Sequence, residues 1–312
     1  MKTCRLNVTQ KLIGCMALMA SLFVLTTTVA QADTYRKGQH LEPAYEGWRP
    51  NDDGSFSFMF GYMNLNWEEE LNLSIGAVNN FAPGDADRGQ PTHFQPRRNR
   101  FTFEVTVPSD WGDRELVWTV MANGVERKAY ATLAIDYLVD DIVIASETGS
   151  LGAGTSSPES RSNTAPVSEI LGDNIRTVRV GQALDLSVHV VDDGLPKPRR
   201  SASGIVGITK SRMLRPPSRV TVGKTNGLFL SWSVYRGEGD VTFDPPMPKS
   251  WEDTRTSANS PWGALWRPPT VPEDGMYHNT VTFDQPGTYV LWSRSDDGGL
   301  YHDDYITVNV TE

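Results

Sequence analysis

The stretch from Phe283 to Val310 reads FDQPGTYVLWSRSDDGGLYHDDYITVNV, and it decides the fold. Apolar residues recur at every second position on both of its arms, which is the spacing of half-buried β-strands. Between the arms, Asp297-Gly298-Gly299 supplies residues that accept the positive φ of a tight turn. Pro286-Gly287 marks the bend that leads into the first arm. The stretch therefore predicts an antiparallel β-hairpin.

The same two-residue period governs the rest of the chain. Apolar and polar residues alternate over 56–62, 115–121 and 228–234, and no long segment after the first 32 residues carries the period of an amphipathic helix. Asn123-Gly124 is the strongest two-residue hairpin signal. A further strand is expected over 135–144. Short strands separated by turns predict an all-β protein built of antiparallel sandwiches.

The beginning of the chain has the layout of an export signal. Lys2 and Arg5 give a basic start, an apolar stretch follows over 12–29, and Ala30-Gln31-Ala32 provides small residues for cleavage. Threonines dilute the apolar stretch, which falls short of the ~20 apolar residues of a membrane span. We therefore predict a signal peptide over 1–32, a mature chain that starts at Asp33, a secreted or periplasmic location, and no stable membrane anchor after cleavage.

Composition divides the remaining chain into two domains. Residues 33–145 form the predicted N-terminal β-sandwich domain, and 164–312 form the C-terminal one. Between them, 146–163 is rich in Ser, Gly, Thr and Pro, which is typical of a flexible linker. Two Pro-containing insertions, 195–222 and 244–272, interrupt the C-terminal domain, and the pattern does not specify their conformation.

Charge and cysteine content exclude several classes of protein. The chain has a formal net charge of −9, which repels nucleic acid and anionic lipid surfaces. We therefore expect no nucleic-acid partner. Both cysteines, Cys4 and Cys15, lie in the predicted signal peptide. The mature chain is then expected to lack a disulfide, a cysteine nucleophile and a thiolate-bound metal.

Several short pieces of the C-terminal half occur together in one known family. They are Val180–Leu186, Val191–Pro196, Leu230–Trp232, Gly239–Phe243, Phe283–Leu291 and Ser295–Gly298. With these pieces, residues 164–312 resemble bacterial extracellular immunoglobulin-like domains of the PKD type. The resemblance implies a sandwich in which Trp232 is the core tryptophan and Tyr289 forms a tyrosine corner. It implies no activity, because such domains serve as spacers, adhesion units and appendages of carbohydrate-active enzymes.

A second set of pieces lies in the N-terminal half. It comprises Gly47-Trp48, Asn51–Phe56, Phe60–Asn64, Pro83-Gly84, Gly89–Phe94 and Glu115–Thr119. On these pieces, residues 45–135 resemble a domain of uncharacterised secreted bacterial proteins, and the resemblance implies no mechanism. The two-residue alternation, with the C-terminal resemblance beside it, predicts an all-β fold class, with two antiparallel, immunoglobulin-like β-sandwich domains joined by a flexible linker.

The sequence offers no standard catalytic string. It lacks the Gly-x-Ser-x-Gly elbow, the His-Glu-x-x-His zinc motif and the glycine-rich phosphate loops. A carbohydrate-active hydrolase would need two acids facing each other ~5–9.5 Å apart across a cleft, and strand alternation does not place such a pair. We assign no catalytic residue and keep a hydrolase or lyase with an unidentified carboxylate pair as an alternative.

Tryptophans are the richer feature. Trp251, Trp262 and Trp266 lie in the second insertion, and Trp292 falls on an outward strand position. Exposed indole faces are therefore expected, and such faces stack on sugar rings and anchor protein interfaces. These four residues are the ligand-binding candidates. The alternative is that the insertion's rings pack onto the sandwich and hold a long loop in place.

Acidic residues cluster at one end of the closing hairpin. Asp296, Asp297, Asp303 and Asp304 would be close together there, and their oxygens are the hard ligands that calcium prefers. The alternative is a solvated acidic turn. No other metal and no organic cofactor is predicted.

These observations favour an exported, non-catalytic binding or adhesion module. It would recognise an extracellular glycan or protein through aromatic-rich loops. Two alternatives remain open: a carbohydrate-active enzyme, and a structural spacer without a ligand. The pattern does not specify the oligomeric state.

Overall fold

The first of two β-sandwiches covers residues 41–131, and its regular elements are all strands. A computed structural model describes residues 35–148, 157–197 and 223–312. The strands of this sandwich are β1 (Leu41–Pro50), β2 (Phe56–Asn64), β3 (Leu71–Asn72), β4 (Asn79–Ala82), β5 (His93–Phe94), β6 (Arg97–Val107), β7 (Leu116–Ala122) and β8 (Val125–Ala131). One sheet has the order β1-β2-β6, a second has the order β4-β7-β8, and β3 pairs with β5, all antiparallel.

Aromatic rings fill the space between these sheets. Phe60 stacks on Phe103 at 5.3 Å, and Trp118 meets Phe103 edge-on at 5.0 Å. Trp118 and Phe60 are fully buried. The rings come from alternate positions of different strands, as the two-residue period predicts. Asn123 and Gly124 both have positive φ, as a two-residue turn between β7 and β8 requires.

The segment after β8 is helical, not extended. A 3₁₀ turn covers Ile135–Tyr137 and is followed by α1 (Asp141–Thr148). The strand expected over 135–144 is therefore wrong. The Asp140 carboxylate accepts a hydrogen bond from the Val143 backbone N–H at 2.8 Å, which caps a helix start. Of the predicted linker 146–163, the described ends lie in α1 and in α2 (Pro158–Ser162), while 149–156 lie outside the described residues.

The second sandwich has the strand distribution of an immunoglobulin-like fold. Its strands are β9 (Val167–Ile170), β10 (Ile175–Arg179), β11 (Leu184–Val191), β12 (Phe229–Arg236), β13 (Val241–Asp244), β14 (Met276–Phe283), β15 (Gly287–Asp296) and β16 (Tyr301–Thr311). The two sheets have the orders β13-β14-β11-β9 and β10-β16-β15-β12. All pairings are antiparallel except that of the edge strand β10, which runs parallel to β16. Most of the first insertion, residues 198–222, lies outside the described residues.

The two residues that the family resemblance singles out sit where it places them. Trp232 is 2% exposed and belongs to the core of the second sandwich. The Tyr289 hydroxyl donates to the backbone carbonyl of Gln285, four residues upstream, at 3.0 Å, and to that of Glu238. This is the arrangement of a tyrosine corner.

The two sandwiches pack against each other within one compact unit, Tyr35–Glu312. Tyr235 and Trp292 project from the second sandwich and belong to the apolar cluster of the first. The Arg294 guanidinium donates to the Phe101 carbonyl at 2.7 Å across the same boundary. The outer face of the sheet β10-β16-β15-β12 is thus covered by protein along this boundary. In the described part of the chain, every helix is too short or too polar to cross a bilayer.

Candidate binding cleft between the two sandwiches

A cleft of about 550 Å³ lies at the boundary between the sandwiches. Its walls combine aromatic and charged side chains from both. They are Arg49, Gly89, Phe101, Phe103 and Glu104 from the first sandwich, and Tyr235, Arg236, Val290, Tyr301, His302, Asp303 and Tyr305 from the second. The volume is within the range of small-molecule sites.

Strand alternation on β16 sends a set of polar and aromatic residues into the cleft. Ile306 and Val308 point into the sandwich core and are buried. Tyr301, Asp303 and Tyr305 occupy the opposite face, since successive side chains of a strand point to opposite sides. The residues on that face therefore line the cleft and face the first sandwich.

A shift in strand register positions Tyr235, which lines the cleft from the second sandwich. The pairing of β12 with β15 is irregular between Val234 and Arg236, where the extra residue is Tyr235. Its backbone carbonyl accepts from the Thr92 N–H at 3.1 Å, and its hydroxyl donates to the Gly89 carbonyl at 2.5 Å. Tyr235 is thereby fixed at both ends to the first sandwich.

Tyr235 in turn orients Tyr305. The two rings meet at 5.0 Å with an interplanar angle of 67°. Tyr235 is buried, whereas Tyr305 is 39% exposed and presents its ring at the mouth of the cleft. Burial raises the pKa of Tyr305, and the neighbouring Asp303 carboxylate raises it further. Its phenol is therefore a neutral hydrogen-bond donor at physiological pH.

The charged groups of the cleft are paired. Arg49 contacts Glu104 at 2.8 Å, and Arg236 contacts Asp87 at 2.7 Å. Behind them, Arg294 makes two contacts with Asp303, at 2.7 and 2.8 Å. Such two-point guanidinium–carboxylate pairs are strong and geometrically specific.

Arg294 is the most enclosed of these charges. Its side chain is 5% exposed and lies 4.5 Å from the Trp292 ring and 3.8 Å from the Tyr301 ring. Burial lowers the pKa of Arg294, but the Asp303 carboxylate outweighs this and the net change is upward. The guanidinium is therefore a fixed positive charge behind the cleft wall.

The predicted ligand-binding tryptophans are not on the surface. Trp251, Trp262, Trp266 and Trp292 are 5%, 8%, 6% and 3% exposed. The expectation of exposed indole faces is wrong, and the alternative in which the insertion's rings pack onto the protein is confirmed. For Trp292 the physical reason is that the outward face of its strand is covered by the first sandwich. A ligand-binding role for these four residues stays a prediction, and their burial does not favour it.

Polar contacts hold the insertion's rings in place. The Trp266 indole N–H donates to the Asn259 side chain at 3.1 Å, and its ring packs edge-on against Phe229 at 5.4 Å. Trp251 lies 4.5 Å from the Lys249 ammonium, and Trp262 lies against the Lys224 ammonium. The insertion is thus folded down as a layer over β12.

The four predicted calcium ligands do not converge on one point. Each has its own partner: Asp296 contacts Lys224, Asp297 accepts from the Asn163 amide, Asp303 pairs with Arg294, and Asp304 accepts from the Ser168 hydroxyl. Among the described residues, no group of three or more His, Cys, Asp or Glu side chains is arranged to hold a metal ion.

The sequence pattern did not identify the residues of the cleft. On β16, the alternation that buries Ile306 and Val308 also puts Tyr305 on the face that points away from the sandwich core. The usable signal is the aromatic content of that face, where Trp292, Tyr301 and Tyr305 replace the polar residues of a solvated strand. Tyr235 gave no comparable signal, because its position depends on the irregular pairing.

Comparison with known proteins gives no family. No family model matches the chain, and no curated protein does either. Among solved structures, domains 4 and 5 of the S-layer protein SbsC are 11% identical, with 88% of this chain and 98% of that chain covered and a TM-score of 0.23. The Yersinia pseudotuberculosis adhesin InvE is 10% identical, with 88% of this chain and 59% of that chain covered and a TM-score of 0.23. With TM-scores this low, the fold assignment depends on the sheets described above.

Proposed function

We propose that the protein is an exported, non-catalytic binding module whose cleft between the sandwiches holds a short stretch of glycan. The observation that carries the proposal is the cleft of about 550 Å³, where the half-exposed Tyr305 stands beside paired charged groups. Export depends on the predicted signal over 1–32, which lies outside the described residues.

The chemistry of the walls favours a sugar over a hydrophobic ligand. A tyrosine ring offers an apolar face for the C–H groups of a sugar and a hydroxyl at its edge. Arg49 and Glu104 lie on the opposite wall, with side chains 42% and 33% exposed. Such planar polar groups hydrogen-bond to ring hydroxyls, and a few of them at an apolar surface fix a ligand's orientation.

The pairing of the cleft acids supports binding without catalysis. Glycoside hydrolysis needs one carboxylic acid that keeps its proton and a second carboxylate opposite it. Glu104 contacts Arg49, and Asp303 contacts Arg294 through both oxygens. Both carboxylates are thus occupied by guanidinium groups of the same protein.

A glycan array tests the proposal. The purified mature protein should retain a subset of glycans, and Tyr305→Ala should weaken that binding by at least about tenfold, because the stacking face is lost. Tyr130→Ala is the matched control, since Tyr130 is a tyrosine of strand β8 that is 54% exposed and lies outside the cleft lining. Its binding should equal that of the wild type. An array without retained glycans, or binding that is insensitive to Tyr305→Ala, would contradict the proposal.

The junction itself supports a second candidate, a spacer without a ligand. Arg236 and Arg294 of the second sandwich both donate to backbone carbonyls of the first, Gln90 and Phe101. Such contacts suit two domains that are held at a fixed angle. An array on which no glycan is retained, together with a single cooperative unfolding transition of both sandwiches, would favour this candidate.

A further inference from the structure

A lysine and an aspartate are buried against each other at the base of the second sandwich. Lys224 lies ahead of β12, and Asp296 is the last residue of β15. The Lys224 Nζ lies 2.6 Å from Asp296 Oδ1 and 2.5 Å from Oδ2. The two side chains are 2% and 5% exposed. They are thus enclosed together, with both carboxylate oxygens within hydrogen-bonding distance of the ammonium.

The rings around the pair exclude water. The Lys224 Nζ lies 5.1 Å from the centre of the Trp262 ring and 5.9 Å from that of Phe229, and both rings are buried. Burying an ion pair costs several kcal/mol for each charge, which their attraction recovers only in part. A neutral product would remove both charges from this enclosure.

The geometry also fits a reaction between the two groups. Because Nζ is nearly equidistant from both oxygens, it lies within roughly 3 Å of the carboxyl carbon Cγ and close to the carboxylate plane. Rotation of the carboxyl group about its Cβ–Cγ bond turns the face of Cγ towards Nζ, which is the direction from which the lone pair attacks. The Gly298 backbone N–H donates to Asp296 Oδ1 at 2.7 Å. This donor is placed to stabilise negative charge that develops on that oxygen.

We propose that Lys224 and Asp296 condense to an intramolecular amide, an isopeptide bond. One proton moves from the Lys224 ammonium to Asp296 Oδ2, which gives an amine and a carboxylic acid. The Nζ lone pair attacks Cγ, and the electron pair moves onto Oδ1, where the Gly298 N–H stabilises it. A second proton moves from Nζ to the Oδ2 hydroxyl, and Oδ2 leaves as water. The C–O bond breaks, the C–N bond forms, and no oxidant or cofactor is needed.

The enclosure has room for the leaving water. A cavity of about 10 Å³ adjoins Lys224, Asp296 and Trp262, which is close to the volume that one water needs. The bond would join the segment that enters β12 to the end of β15, next to the turn that leads into β16. Strands β12 and β15 of the sheet that forms one wall of the cleft would then be linked covalently.

Mass spectrometry of the intact, denatured protein tests the proposal. We expect the purified mature protein to be lighter than its calculated mass by one water, about 18 Da. Proteolysis should then yield a branched peptide that joins the Lys224 and Asp296 fragments. The Lys224→Arg variant retains a positive charge opposite Asp296, so it should fold, and it should have its full calculated mass.

A second lysine–aspartate contact in the same chain is the internal control. Lys249 lies 2.6 Å from Asp253, but the lysine is 33% exposed. We expect its tryptic fragments to be linear, because water solvates the Lys249 ammonium and Arg255 also holds the Asp253 carboxylate. Recovery of linear Lys224 and Asp296 fragments, with the wild type at its full calculated mass, would overturn the proposal and leave a buried salt bridge. This outcome does not depend on whether the cleft binds a glycan.

Discussion

The core of the first sandwich and the junction between the sandwiches are both buried, but they use opposite chemistry. In the core, rings such as Phe60, Phe103 and Trp118 pack at 5.0 to 5.8 Å from one another. At the junction, the side chain of Arg294 is 5% exposed and is paired with Asp303 of the neighbouring strand β16. Apolar packing tolerates changes that conserve volume, whereas a buried charge depends on one partner. The two regions should therefore respond differently to substitution.

The largest effect is expected from breaking the junction pair. Arg294→Met leaves the Asp303 carboxylate enclosed without its guanidinium, so we expect a loss of ~3–5 kcal/mol in the free energy of unfolding. The double variant Arg294→Met with Asp303→Leu removes both charges and should regain most of that loss. Urea denaturation of the two variants and the wild type measures the difference.

An exposed pair supplies the control for this prediction. Arg49 contacts Glu104 at 2.8 Å, but the two side chains are 42% and 33% exposed. Arg49→Met should cost only ~0–1 kcal/mol, because water screens such pairs. If Arg294→Met cost no more than Arg49→Met, the junction would not depend on matched charge, and the contrast with the aromatic core would be lost.

The same contrast explains what the sequence could predict. The closing hairpin and the Asn123-Gly124 turn follow from alternation and local turn chemistry, the core position of Trp232 follows from the family resemblance, and the structure confirms all three. Local patterns carry this information because neighbouring residues of a strand point to opposite faces.

The junction could not be predicted by the same means. Arg100 contacts Glu252 at 3.1 Å although they are far apart in the chain, and no local pattern links two such positions. For Trp292, alternation correctly gives the outward face, but it cannot show that another sandwich covers that face. The predicted exposure of Trp292 was therefore wrong for a reason that lies in domain packing, not in the strand itself.

A second, smaller effect is expected in the pH dependence of the free energy of unfolding, to which charged groups contribute and the apolar core does not. Burial, and then the charge of Asp296, raises the pKa of Asp297 to about 7. The folded protein therefore keeps a proton that the unfolded chain releases near pH ~4. The contribution of Asp297 to stability is present at low pH and is lost as the pH rises from about 4 to about 7.

The Asp297→Asn variant removes this titration. Relative to the wild type, it should gain on the order of 2–4 kcal/mol of unfolding free energy across that window. The amide is expected to fit, because the Asn163 side-chain oxygen is buried without a hydrogen-bond partner among the described residues and can accept from it. Denaturation at a series of pH values measures the change. Parallel pH curves for variant and wild type would contradict the prediction.

Asp53 provides the opposite sign as a control. Hydrogen bonds from the Ser55 side chain and backbone lower the pKa of Asp53. Its contribution is therefore present above the unfolded pKa and is lost as the pH falls. Asp53→Asn should differ from the wild type in the direction opposite to Asp297→Asn. Its free energy of unfolding should fall relative to that of the wild type as the pH rises through the range in which Asp53 titrates.

The smallest effect concerns a neutral hydrogen bond in the core of the second sandwich. Tyr289→Phe removes the hydroxyl that donates to the carbonyls of Gln285 and Glu238 but keeps the ring, so we expect a loss of ~1–2 kcal/mol by urea denaturation. Tyr277→Phe is the matched control, because the Tyr277 hydroxyl is buried without a partner among the described residues. Its removal should be neutral or stabilising. Equal losses in the two variants would mean that the tyrosine corner stabilises through its ring alone, and that neutral polar contacts matter little beside the ionic junction.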